Sequence, residues 1–208
     1  MNYKWVKDFA LKLINQYSVA GEQIAETYNV QADYINKIPE LVETGQLYIA
    51  TTTGRIRTVV PLASLETSDM GSWTLYHLPE DCWQVCSGGL VRCDGPVMQR
   101  YHKYHMVGDK GIAIPEKLDG DMFLEYYRYP LPVGTDPDEQ AKLDNTVEAQ
   151  MVLPYYVAAH LVMHDNAFAY SALFNEFESR LARLSEMPQA EMTVVEDSYS
   201  ATECNYNE

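Results

Sequence analysis

The 208-residue chain is poor in positive charge and in cysteine, and it has no long apolar run. Fifteen Lys and Arg stand against thirty Asp and Glu, a formal net charge of −15. Nucleic acid and anionic lipid are held by clustered Lys and Arg that neutralise phosphate, so this balance argues against affinity for either. No stretch approaches the roughly 20 apolar residues of a membrane span. In the N-terminal MNYKWVKDFALKLINQYS, Lys7, Asp8 and Lys12 interrupt the apolar residues, so the segment is expected not to be a signal peptide. The chain is expected to be soluble and made in a cytoplasm. Its four cysteines are Cys82, Cys86, Cys93 and Cys204. Structural zinc sites show paired C-x2–4-C units, and no second pair follows here. The cysteines are expected to be small apolar residues of a reduced protein. No G-x-G-x-x-G, Walker loop, G-x-S-x-G or H-E-x-x-H is present, and no cofactor is implied.

What the sequence does hold is tyrosine, sixteen against five phenylalanines, in a composition that is 47% hydrophobic. Tyrosine joins an apolar ring to a polar tip and suits half-buried faces and subunit contacts. The length allows a real core in one domain, or in one domain carrying an insertion.

Trp5, Phe9, Leu13 and Tyr17 recur at steps of four and predict a first helix over residues 4–17. A second stripe, Tyr34, Ile35, Ile38, Leu41, Val42 and Ile49, predicts a helix from about Gln31 to Thr51. Pro39 within it predicts a kink or two shorter helices. From Arg55 to about Pro130 the grammar changes to short apolar runs between Gly and Pro. RTVVPL, WTLYHLP, CWQVCS, GLVRCDG, VMQRYHKYHMVG, GIAIPEK and MFLEYYRYP read as strands. GDKG (108–111) and LDGD (118–121) read as turns. Asp144, Asn145 and Thr146 are candidate caps for a helix from Thr146 to about His164, with a bend expected at Pro154. A further helix is predicted over 166–184, with Ala169, Leu173, Phe177, Leu181 and Leu184 on one face, and HDNA as a tight hairpin between the two. The fold class that follows is α+β. Terminal helices form a bundle (1–54 and 140–187), a β-rich insertion (55–131) forms a small sandwich or barrel-like sheet, and 188–208 is an extended C-terminal tail.

His160 and His164, four residues apart on a predicted helix, have the spacing of many zinc ligands. No Glu lies between them to act as general base, and Asp165 points about 100° round a helix from His164. His102 and His105 differ by an odd number and would face opposite sides of a regular strand; His77 lies in another. The pair is therefore expected to sit at the polar-to-core boundary of a helix beside acids or tyrosines, with no metal and no catalytic residue. Glu80-Asp81 and Asp119/Asp121 read as turn acids. Tyr126 and Tyr127 could stack on bases, but Arg128 alone makes no basic groove.

The order of pieces carries a resemblance. LPEDCWQV, a short β region, FLEYYRYP, a polar loop and then AQMVLPYYVAAHLVMHDNAFAYSALFNEFESRLARL resemble the head-to-tail adaptor (connector) proteins of tailed bacteriophages, in the podophage-like subgroup. The likeness covers roughly Leu78 to Leu184, with ADYINKIPELVETGQLYIA fitting loosely. It implies a non-enzymatic virion protein of the head-tail interface, made in the host cytoplasm. Such a protein self-associates, commonly as a dodecamer, beneath the portal protein, extends the DNA channel and offers a platform to the tail's nozzle or tube proteins. DNA would pass through the lumen during ejection without tight binding. The C-terminal segment would grip the portal, with Met192, Val194, Val195 and Tyr199 as apolar anchors and Glu196 and Asp197 meeting basic residues. The alternatives are a small metal-dependent hydrolase using His160 and His164, and a head-completion stopper or tail-terminator ring.

Overall fold

A computed structural model describes residues 1–16, 28–53, 56–108, 111–115 and 120–186. The chain is α+β, with four helices and two antiparallel sheets of four strands among the described residues. The helices are α1 (Tyr3–Gln16), α2 (Tyr28–Thr53), α3 (Val147–Val162) and α4 (Ala167–Glu186). The strands are β1 (Arg57–Pro61), β2 (Thr67–Asp69), β3 (Trp73–His77), β4 (Cys82–Asp94), β5 (Val97–Arg100), β6 (His105–Val107), β7 (Gly111–Pro115) and β8 (Asp121–Arg128). No described helix is long and apolar enough to cross a membrane. The expected portal contacts, Met192, Val194, Val195, Glu196, Asp197 and Tyr199, lie outside the described residues, as do Cys204, Tyr17, Asp109, Leu118 and Asp119.

The chain divides into two compact units. The first holds Met1–Thr58, Glu80–Val85 and the chain from Tyr126 through α4; the second holds Val59–Pro79 and Cys86–Glu125. Three of the four divisions fall inside β1, β4 and β8, so strand ends belong with the helices; the fourth, between Pro79 and Glu80, falls in the loop from β3 to β4.

In the first unit α3 is the centre. It is apolar on nearly every side, and the other three helices pack on it. Ala158 and Ala159 are fully buried, as are Leu153 and Val157. A helix apolar all round must be enclosed, and each large apolar side chain so buried contributes about 1.5–3 kcal/mol. Thr146 is the residue that caps α3, its Oγ1 accepting from Ala149 N at 3.4 Å, and Glu148 lies in the positive first turn. Pro154 is buried inside α3, and Pro39 lies inside α2, which is a single helix and not two. Buried Ile38 and Val42 flank Pro39, so core packing outweighs the hydrogen bond that the ring removes. Asn166 Oδ1 accepts from Ala169 N at 3.0 Å and starts α4, whose buried Ala169, Leu173, Phe177, Leu181 and Leu184 are the predicted stripe.

In the second unit the sheet order is β2-β3-β7-β6, and β3 pairs with β7 from Trp73 opposite Pro115 to His77 opposite Gly111. The other sheet runs β1-β8-β4-β5. CWQVCS and GLVRCDG, expected as two strands, form the single β4. Gly88 sits within it at φ 64°, where a Cβ would come 2.7 Å from Arg100 Nη1. Glycine takes that left-handed conformation without strain, so the strand runs on through it. VMQRYHKYHMVG does the reverse and splits into β5 and β6. The exposed β2, Thr67–Asp69, carries no apolar alternation that could announce it.

Candidate assembly surface

The junction leading into α3 is built from buried amides. Gln46 is 1% exposed; its Oε1 accepts from Asp144 N at 3.2 Å, and its carbonyl accepts from Asn145 Nδ2 at 3.3 Å. Gln150 Nε2 donates to the carbonyls of Leu143, at 3.1 Å, and of Asn145. Side chains from α2 and α3 thereby satisfy backbone that no regular element pairs. Asp144 itself bonds Arg128 and the Leu131 N–H. The hydroxyl of Tyr126 donates to Asp81 Oδ1 at 3.0 Å, and the Asp81 carbonyl accepts from Tyr129 N at 2.7 Å. Burial first, then the bond to Asp81, pushes the Tyr126 hydroxyl up to about 12, so it stays protonated and serves as a donor. Tyr127 has its ring beside Trp83, with the Arg57 guanidinium 5.9 Å from its centroid. Tyr126 is buried and Tyr127 half-buried.

α3 ends at Val162, and His164 is exposed in the turn beyond it. His160 is half-buried, its Nδ1 2.8 Å from the Tyr156 carbonyl and its ring among Tyr156, Tyr170 and Phe174. Tyr34 Oη donates to Asp165 Oδ2 at 2.6 Å and ties α2 to that turn. No group of three or more His, Cys, Asp or Glu suited to a metal occurs among the described residues. His77 Nε2 lies 2.9 Å from Ser68 Oγ; His102 falls in the irregular link between β5 and β6, and His105 contacts the Trp73 ring. Cys82, Cys86 and Cys93 form no disulfide. An open cleft of about 400 Å³ in the second unit is lined by Leu62, Tyr76, Met122 and Phe123, with Asp121 as its one carboxylate among the described residues.

Large apolar side chains remain on the surface. Phe168 is 75% exposed at the start of α4, Leu131 62% and Val147 55%, with Met151 one helical turn beyond Val147. Leu131 N is tied to Asp144, three residues before Val147, so the junction just described anchors the segments that present both. The sequence stripes showed the buried faces but gave no sign of these residues, because α3 is apolar on nearly every side and hides Val147 and Met151 among its buried residues, while Leu131 and Phe168 stand singly. No protein-family model and no curated protein matches the chain.

Proposed function

We propose that the protein is a non-enzymatic, ring-forming head-to-tail adaptor of a tailed phage, docking beneath the portal, continuing the DNA channel and carrying the tail. The observation that carries this reading is the exposed apolar set Leu131, Val147, Met151 and Phe168, held on a closely packed helical unit. Exposed side chains of that size on a rigid scaffold favour burial against another copy. The charge of −15 supports it, since an acidic ring wall repels duplex DNA and lets it slide. The order of sequence pieces from Leu78 to Leu184 supplies the family likeness.

The test is sedimentation velocity of the purified protein followed by electron microscopy, alone and with portal-bearing heads. Closed rings, or rings formed on heads, are expected. A monomer that never joins heads sinks the proposal. Stoichiometric zinc lost on His160→Ala would favour the hydrolase instead.

A further inference from the structure

Gln46, Asn145 and Gln150 are 1%, 4% and 4% exposed, and each uses only one of the two polar atoms of its amide within the protein. Gln46 Oε1, Asn145 Nδ2 and Gln150 Nε2 are bonded to backbone as described above. Gln46 Nε2, Asn145 Oδ1 and Gln150 Oε1 are enclosed and meet no partner among the described residues. Buried polar groups are nearly always satisfied, by protein or by ordered water. The backbone fixes which way each amide faces. Asp144 N is a donor, so it meets Gln46 Oε1; the carbonyls of Gln46, Leu143 and Asn145 are acceptors, so they meet the NH2 groups of Asn145 and Gln150. Turning any of the three round would set donor against donor or acceptor against acceptor. The orphan set is therefore one NH2 group and two carbonyl oxygens.

All three amides serve the same short stretch, Leu143 to Asn145. In Gln46, from α2, and Gln150, from α3, the orphan atom shares its carbon with one already bonded to that backbone. Asn145 is part of the stretch, its Nδ2 tied to the Gln46 carbonyl. Such a set selects its ligand. A metal cation would face the hydrogens of the Gln46 NH2 group, and an anion would face two carbonyl oxygens. A water has two O–H donors, for Asn145 Oδ1 and Gln150 Oε1, and a lone pair for the Gln46 N–H, which makes the roughly three hydrogen bonds usual for a buried water. We propose that a single ordered water is held by Gln46 Nε2, Asn145 Oδ1 and Gln150 Oε1 as a built-in part of the junction between α2 and α3. Asp144, whose N–H is held by Gln46, ties Arg128 and Leu131 N through its carboxylate. The water thus completes the base from which Leu131 and Val147 are presented, in a monomer as in a ring.

The test is a crystal structure of the full-length protein at a resolution that shows ordered waters, with nuclear magnetic resonance of the same protein in solution. One density peak is expected at about 2.7–3.2 Å from all three atoms. A cross-peak is expected between the Gln46 side-chain amide protons and water, of the sign given by a molecule held for longer than the protein tumbles. Absence of both peaks overturns the proposal, as does a direct bond from Gln46 Nε2 to Asn145 Oδ1 or Gln150 Oε1. A density peak at about 2.3–2.6 Å, the spacing of a calcium ion to oxygen ligands, overturns it too. Gln46→Glu keeps the acceptor for Asp144 N and puts an oxygen in place of the NH2 group. With that carboxyl ionised, three acceptors surround a molecule that has two protons. The melting temperature of this variant is expected to lie several degrees below that of the unaltered protein near pH 7, and the gap to narrow as pH falls and the carboxyl regains a proton to donate. A gap that is the same at every pH would show that the Gln46 NH2 group meets no acceptor, and the water would be wrong.

Discussion

Arg128 grips Asp144 with both guanidinium nitrogens, Nη1 to Oδ2 at 2.6 Å and Nη2 to Oδ1 at 2.8 Å. The pair joins the end of β8 to the residue two before the Thr146 cap, and Leu131 N donates to the same carboxylate. A planar fork makes this arrangement where an ammonium cannot. Both side chains are about one-fifth exposed, so solvent screens part of the attraction. Arg128→Lys is expected to lower stability by about 1 kcal/mol, and Asp144→Asn by about 1–2 kcal/mol. A urea titration with unchanged slope measures both.

The same pair sets a pH dependence. The bond from Arg128, helped by the Leu131 N–H, holds the Asp144 carboxyl below its ordinary value. A depressed folded value contributes stability in full above the unfolded value of about 3.9, and the contribution fades as pH falls below that toward the folded value. Asp144→Asn is expected to flatten the loss of melting temperature between about pH 4.5 and pH 3, and an unchanged slope there would contradict it.

Glu139 fastens the start of α1. Its Oε2 and Oε1 accept from Lys4 and Lys7 at 2.6 and 2.9 Å, while Tyr3 N donates to the Ala141 carbonyl at 2.9 Å. The bond from Lys4, then that from Lys7, pulls the Glu139 carboxyl down to about 2. This clamp is complete above the ordinary glutamate value and is lost as pH falls toward 2. It lies in solvent, so salt weakens it. Glu139→Gln is expected to speed amide exchange in the first turn of α1 at low salt and to do little in 1 M salt. Equal effects at both would show that the contact is not electrostatic.

How much of this could be read beforehand differs by element. α1 and α4 were legible because one face alone is apolar, giving a clean period. The turn after α3 was legible from Asp165 and Asn166, yet the helix end was set two residues late, at about His164 against Val162. α3 is apolar on all sides, and no period marks where it stops. That difference placed His164 on the helix and not in the exposed turn beyond it. Gln46 was invisible for the opposite reason, since an amide amid Thr44, Gly45 and Leu47 looks like surface until the Asp144–Asn145 backbone arrives to use it. The merged β4 depended on a glycine whose two possible roles, ending the strand or carrying it on, are alike in sequence.

At Gly45 α2 lies directly against side chains of α3. A Cβ there would lie 2.6 Å from Leu153 Cδ1 and 2.7 Å from Tyr156 Cδ1. Leu153 is fully buried and cannot step aside. Alanine usually favours a helix over glycine by about 1 kcal/mol, but overpacking costs about 1–3 kcal/mol. Gly45→Ala is expected to destabilise on balance, and a gain in melting temperature would show that the helices separate at little cost.

His160 and His164 should respond oppositely to substitution, because the first is part of an aromatic cluster and the second is solvated. His160 bridges α3 to α4 through Tyr170 and Phe174, with ring centroids 6.2 and 5.9 Å away, and lies tilted against Tyr156 at 4.1 Å. With Nδ1 aimed at the Tyr156 carbonyl, the ring is a donor on that side, and Nδ1 is not available to a metal. His160→Ala removes the ring contacts and is expected to cost about 1–3 kcal/mol; His160→Phe, which keeps a ring, should recover part of that. His164→Ala is expected to stay within about 0.5 kcal/mol of the unaltered protein, as exposed substitutions usually do. Chelator treatment should move the melting temperature of none of them. If the two alanine variants instead lost equal stability, and chelator reproduced that loss in the unaltered protein, the histidines would share a metal after all.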